Sequence, residues 1–176
     1  MKKPKLLLHT CCATCSGFLA SALTEDFAVS LYYSNSNIFP AAEYQRRLNE
    51  AKKYFLANGF AFIEDKYNHD SWLDFVRGLE NEPERWSRCL KCYDYRLRQT
   101  ARHAQTFGFD YFGTTLSISP HKDTIAINNL GLALAKDKKV KFLAGDWKKQ
   151  DGFMKAVAFS HSHNFYRQNY CGCEFA

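Results

Sequence analysis

Short apolar runs alternate with amphipathic stretches along nearly the whole chain. Leu6 to His9 reads as a short buried strand, followed by a helix through "SGFLASALTE". "FAVSLYYSNS" fits a second strand of a buried sheet. Pro40 opens the next helix and Gly59 closes it. Within it Tyr44, Leu48, Ala51 and Phe55 recur at spacings of four, three and four, which places them on one face. "FAFIEDKY" is a third strand, and "SWLDFVRGLE" a shorter helix capped by Asp70 or Ser71. A charged stretch, "ENEPERWSRCLKC", interrupts the rhythm before a long helix that ends near Gly108. "DYFGTTLSIS" and "VKFLAGDW" read as the fourth and fifth strands, with Pro120 starting the helix between them. A last helix through "FMKAVAFSHSH" leads into two C-terminal cysteines. This alternation predicts a parallel sheet covered on both faces, a doubly wound α/β domain.

A length of 176 residues suits one domain with a full core. No stretch approaches the ~20 apolar residues of a membrane span. The start, "MKKPKLLLHTCC", carries lysines like an export signal, but its apolar run stops at Leu8, so a first strand is expected. The expected location is cytoplasmic, where thiols stay reduced.

That expectation bears on the seven cysteines, which fall into three tight groups: Cys11, Cys12 and Cys15; Cys89 and Cys92; Cys171 and Cys173. An odd count in a reducing compartment argues against a disulfide framework, and clustering argues against plain burial. In a doubly wound fold the ligand crevice lies beyond the carboxyl ends of the strands. The first group sits there, at the start of a helix whose unpaired N–H groups favour thiolate. Three chemistries fit the spacing: a dithiol redox pair, a zinc ion on four sulfurs, and an iron–sulfur cluster. Zinc would leave three cysteines without a role. The loop "HTCCATCSG" has one late glycine and no phosphate-binding lysine, which disfavours ATP.

The formal charge is +6, with basic patches such as Arg96/Arg98/Arg102 and Lys136/Lys138/Lys139/Lys141. Each patch reads first as a solvated helix face or turn, and together they are compatible with a polyanionic partner such as RNA.

Together, "LLLHTCCATCSG", "YYSNSNIFPAAEYQRRL", "RCLKCYDYRL", "TTLSISPHK" and "FYRQNYCGCEF" resemble the QueH family, the cobalamin-independent epoxyqueuosine reductases, from about Lys5 to Phe175. The resemblance implies a nucleotide-hydrolase-like (HUP-like) α/β fold with a mostly parallel sheet, as a single domain over 1–176. It implies two-electron reduction of the epoxide of epoxyqueuosine, at the wobble position of the tRNAs for Asp, Asn, His and Tyr, with loss of water. It further implies a [4Fe–4S] cluster with a second metal ion, iron, beside it, and an electron donor that the sequence does not name. A non-catalytic zinc-binding RNA module is the alternative.

All seven cysteines are expected to bind metal. Cys12, Cys89, Cys92 and Cys171 are expected to hold the cluster, leaving Cys11, Cys15 and Cys173 for the second metal or the substrate. Neighbouring side chains diverge, so Cys11 and Cys12 are expected to serve different metals. Cys11, Cys15 and His9 are the catalytic candidates, with His9 read either as a proton donor or as a packed strand-end histidine. Tyr170, Ser119 and Arg167 are the substrate-binding candidates. Tyr166, Ser117, His121, Asp146, Asn35 and Asn37 lie near the same crevice.

Overall fold

The computed structural model describes residues 2–176. Its elements run β1 (Lys5–His9), α1 (Ala13–Leu23), β2 (Ala28–Tyr33), α2 (Ala41–Ala57), β3 (Ala61–Glu64), α3 (His69–Val76), α4 (Ser87–Thr106), β4 (Tyr111–Thr114), α5 (Thr124–Ala135), β5 (Lys141–Phe142) and α6 (Gly152–Ser162). The strands form one sheet in the order β3-β2-β1-β4-β5, and every pairing is parallel.

Both faces of the sheet are covered, and β1 shows why its apolar run is unbroken. Leu7 points into a core with Tyr32, Phe112 and the α4 residues Tyr93, Leu97 and Ala101. Leu6 and Leu8 point the other way, into a core with Leu31, Leu19, Ala20 and Phe55. A central parallel strand must be apolar on both sides. The predicted face of α2 is borne out, since Tyr44, Leu48, Ala51 and Phe55 are all buried.

Several boundaries depart from the sequence reading. The charged interruption ends sooner than expected: α4 begins at Ser87, behind an extended Trp86, so Cys89 and Cys92 are helical. Asn68, rather than Asp70 or Ser71, caps α3, its side chain accepting from the Ser71 N–H. α5 starts at Thr124 behind Asp123, whose carboxylate accepts from Ala126 N, while Pro120 stays in the preceding turn. The fourth strand stops at Thr114, where the chain winds into a 3-10 turn over Leu116–Ile118. The fifth strand is an edge with a partner on one side only, and it pairs over just two residues.

The sheet order reverses at β1, between β2 and β4, so the connections after β1 and β4 leave on opposite faces and open a crevice. No described helix is long and apolar enough to cross a membrane.

The helix that carries Cys15 is seated by α6. At Gly17 a Cβ would stand 2.7 Å from Cε1 of Phe159 and 3.3 Å from Cε2 of Phe165. Gly17→Val is therefore expected to lower stability by ~1–3 kcal/mol through overpacking, each kcal/mol costing roughly 2–4 °C in Tm. Thermal unfolding measures this, and adding Phe159→Ala should recover part of the loss.

Candidate metal centre

The first cysteine group forms where β1 runs into α1. Cys12 is the extended residue before the helix (φ −170°, ψ 163°), and a bend at Cys11 breaks the strand alternation ahead of it. The two side chains therefore converge instead of diverging, with Cys11 Sγ and Cys12 Sγ 3.8 Å apart. Cys15, one helical turn on, completes a set whose three sulfurs lie within 4.8 Å of one another. Sulfurs sharing one tetrahedral ion at about 2.3 Å lie about 3.8 Å apart, so Cys11 and Cys12 have single-ion geometry. The expectation that these neighbouring side chains diverge does not hold, since both sulfurs face the same space. Gln168 donates from Nε2 to Cys12 Sγ (3.2 Å), a partner the sequence did not suggest.

The remaining four cysteines line one cavity, together with Asn37, Trp72, Arg88, Tyr93, Arg96 and Lys122. Cys89 and Cys92 reach it from α4. Cys171 and Cys173 reach it from the C-terminal segment, which forms no helix or strand and is held by its backbone. Arg47 of α2 donates to the carbonyls of Cys171 (3.1 Å) and Tyr170 (3.5 Å). Arg88 of α4 donates to Phe175 O (2.8 Å), and Phe39 N donates to Gly172 O (2.8 Å). Gly172 lies at φ +98°, a region that favours glycine, between the two cysteines. The expected quartet of Cys12, Cys89, Cys92 and Cys171 thus draws on both groups: Cys12 stands with Cys11 and Cys15, and Cys173 stands with the other three.

Among the described residues, only Cys11, Cys12 and Cys15 converge as closely as a single ion requires. The four cavity cysteines are spread more widely, which suits a polynuclear group. The donors around them suit it as well. Trp72 Nε1 and Arg88 Nε are buried without an acceptor, and both residues line the cavity. Sulfur is an acceptor that such N–H groups can serve, and buried donors are rarely left unpaired.

Thiol acidity differs within each group. Hydrogen bonds from the Cys12 and Cys15 thiols hold Cys11 well below the ordinary range, with the Arg96 guanidinium adding to the effect. Cys12, donating to Cys11, is pushed up to about 12, and Cys15 rises for the same reason. Cys171 falls to about 6, chiefly because Cys173 donates to it and secondarily because of Lys122. Cys173 rises correspondingly, and burial raises Cys92.

His9 is fully buried at the end of β1. Ser34 O can only accept, so His9 Nε2–H donates to it (3.1 Å) and Nδ1 accepts from Thr114 Oγ1 (3.0 Å). Burial pushes its pKa down to about 3, so the ring is neutral at physiological pH. Tyr170 is exposed beside Cys171, one ring face toward Arg47. Ser119 follows the 3-10 turn, and its Oγ accepts from His121 N (3.2 Å). Arg167 is exposed and hydrogen-bonded to His161, without a cysteine contact among its hydrogen bonds. Tyr166 lies under Arg46 (3.4 Å), Asp146 pairs with Lys148 and Lys149, and Ser117 donates to Gly145 O. Asn35 is buried, donating to Thr10 O (2.8 Å), and Asn37 lines the cavity.

The sequence reading placed Arg96 in a basic patch, whereas it is buried at the cavity. It recurs seven residues after Cys89 and four after Cys92, on their helix face, and that spacing was the available signal.

The family model described as "Epoxyqueuosine reductase QueH" matches residues 6–176. Proteins named epoxyqueuosine reductase QueH align over almost all of this chain. One from Streptococcus pyogenes is 40% identical, the match covering 99% of this chain and 71% of that protein. One from Haemophilus influenzae is 38% identical, covering 98% and 71%. One from Dehalococcoides mccartyi is 36% identical, covering 98% and 92%. With two convergent cysteine groups in the switch-point crevice and a match that runs from β1 to the final residue, this chain belongs to the epoxyqueuosine reductase QueH family.

Proposed function

We propose that this chain reduces the epoxide of epoxyqueuosine in the wobble position of tRNA to the alkene of queuosine. The observation that carries the reading is the division of seven thiols into a set of four around one cavity and a set of three with single-ion spacing. Membership of a family whose relatives are named for this reaction supports it. The reaction consumes two electrons and two protons, breaks both epoxide C–O bonds and releases the oxygen as water. No side chain supplies such electrons, so a redox group is needed.

Cys89, Cys92, Cys171 and Cys173 would hold a [4Fe–4S] cluster, and Cys11, Cys12 and Cys15 the second ion, iron. When bound, these groups supply single electrons and a Lewis acid for the epoxide oxygen. The protein's own residues do the rest. Trp72 and Tyr93 give the cavity apolar walls that exclude water. Lys122, lining the cavity near the Cys171 thiolate, can hold a proton at Nζ. His9 anchors the β1 end against Thr114 and Ser34, positioning the cysteine loop. Exposed Tyr170 and Trp86, each within three residues of a cavity cysteine, offer ring faces to unpaired bases. Ser119 and Arg167 remain candidates for contact with the nucleotide or its phosphates. The cognate tRNAs would be those for Asp, Asn, His and Tyr, the electron donor a separate protein or small reductant, and the setting the cytoplasm.

Anaerobic loading with iron and sulfide, followed by incubation with a reductant and tRNA bearing epoxyqueuosine, tests the reading. The expected result is a brown protein with four or more irons per chain that forms queuosine. A colourless protein that retains zinc under these conditions and leaves the epoxide intact would instead support the structural zinc module.

The partition of the thiols has its own test. Cys173→Ser is expected to lose the visible cluster absorbance, whereas Cys12→Ser keeps it and loses less iron. Absorbance lost in Cys12→Ser and kept in Cys173→Ser would restore the quartet expected from the sequence.

In the metal-free, reduced protein, alkylation of Cys171 should reach half its maximal rate near pH 6. Because its pKa is lowered, reactivity persists at neutral pH and falls only as the pH drops through about 6. Peptide mass mapping of iodoacetamide adducts across pH checks this, and a midpoint near the ordinary thiol value would contradict the Cys173–Cys171 hydrogen bond.

A further inference from the structure

Arg96 stands out among the buried charges. It is 4% exposed, and none of the ion pairs among the described residues includes it. Arg47, comparably buried, has Glu43 at 2.6 Å. Arg88 is also outside those ion pairs, but four carbonyls, those of Leu79, Glu80, Glu82 and Phe175, take up its guanidinium donors. Arg96 has one neutral hydrogen-bond partner: its Nη2 donates to Asn35 Oδ1 (2.6 Å), while its Nε lies 3.4 Å from His9 Nε2, whose proton is committed to Ser34 O. A buried cation without an opposite charge is strongly unfavourable, so a fold that keeps one implies an anion facing it.

The position of Arg96 identifies that anion. It shares a face of α4 with Cys89 and Cys92 and lines their cavity. Through Asn35, whose Nδ2 donates to Thr10 O (2.8 Å), it also fixes the residue before Cys11. The other cations at the cavity are differently committed, Arg88 to its carbonyls and Lys122 toward Glu84 (3.9 Å).

We infer that Arg96 is the positioning residue and counter-charge of the cysteine centre, holding the two thiol groups in register and raising the reduction potential of the iron–sulfur cluster that the centre would hold. The inference rests on the iron–sulfur reading above. Four thiolates give a cluster net negative charge, and one-electron reduction adds another. A nearby cation in a low-dielectric site favours the more negative, reduced state.

The test is a one-electron redox titration, followed by electron paramagnetic resonance, on the full chain loaded with iron and sulfide. Wild type is compared with Arg96→Lys, Arg96→Gln and Asn35→Asp. The last variant sets a carboxylate against the guanidinium and neutralises the charge without removing the side chain. Arg96→Gln and Asn35→Asp are expected to have midpoints more negative than wild type, while Arg96→Lys stays close to it. Should Arg96→Gln fold, by circular dichroism, yet take up no iron while Arg96→Lys takes it up, the counter-charge role is supported. Unchanged midpoints in both neutralised variants overturn the inference, as does a shift in Arg96→Lys as large as that in Arg96→Gln, or loss of iron from both Arg96 variants. A wild-type chain that takes up no iron overturns the iron–sulfur reading and this inference with it, whereas a loaded wild type with unresponsive variants overturns this inference alone.

Discussion

The centre depends on guanidinium groups that hold a segment with no regular structure of its own. Cys171 and Cys173 sit on a tail that forms neither helix nor strand, so no ladder of backbone hydrogen bonds fixes it. Its carbonyls are instead bonded by Arg47 from α2 and Arg88 from α4, two helices on opposite sides of the sheet. A guanidinium suits this task because its donors are fixed in a plane and stay charged under all relevant conditions. His69 adds a contact to Glu174 (2.7 Å), and Trp72 stacks against Phe175. The tail is thereby fixed on both sides of its cysteines.

The same economy of charge extends inward. Cations line the cavity, and none of its lining residues is acidic. Such a site lowers the cost of thiolates in a buried setting, since each positive group offsets part of their desolvation. It also disfavours hard, hydrated cations, which would seek carboxylates. The acidity of the thiols follows from this field and from hydrogen bonding, Cys12 and Cys15 donating to Cys11 and Cys173 to Cys171. Basic residues that look like an RNA footprint in the sequence therefore divide into two kinds. Arg47 and Arg96 are buried beside the cysteine groups, whereas Arg46, Arg98 and the lysines at 136–141 lie toward solvent.

The doubly wound fold supplies the location. With β1 and β4 adjacent at the point where strand order reverses, the β1 loop opens between the two helical layers. His9, at the tip of β1, ties that strand to Thr114 of β4 and to the loop after β2. Neutral and enclosed, it works as a strut. The α4 cysteines reach the same crevice because α4 packs across β1 and β4 through Tyr93, Leu97 and Ala101.

Much of this was legible along the chain. The unbroken apolar run of β1, the four-three-four spacing in α2 and the alternation of strand and helix determined a parallel, doubly wound sheet, because burial on two faces leaves a periodic mark on sequence. A grouping of thiols was equally plain, since all seven cysteines fall into three tight clusters along the chain. The start of α4 was hidden, because "ERWSRCLKC" is polar on its outer face and the helix is recognisable only by what its inner face meets. Which thiols stand together in space was hidden for a related reason. Sequence adjacency suggests that Cys11 and Cys12 diverge, but a bend at one residue turns both sulfurs inward. Cys173 joins Cys89 and Cys92 through carbonyl contacts that carry no side-chain signature. Periodicity records which faces are buried; which distant segments meet, and which charges they share, is decided only when the chain closes on itself.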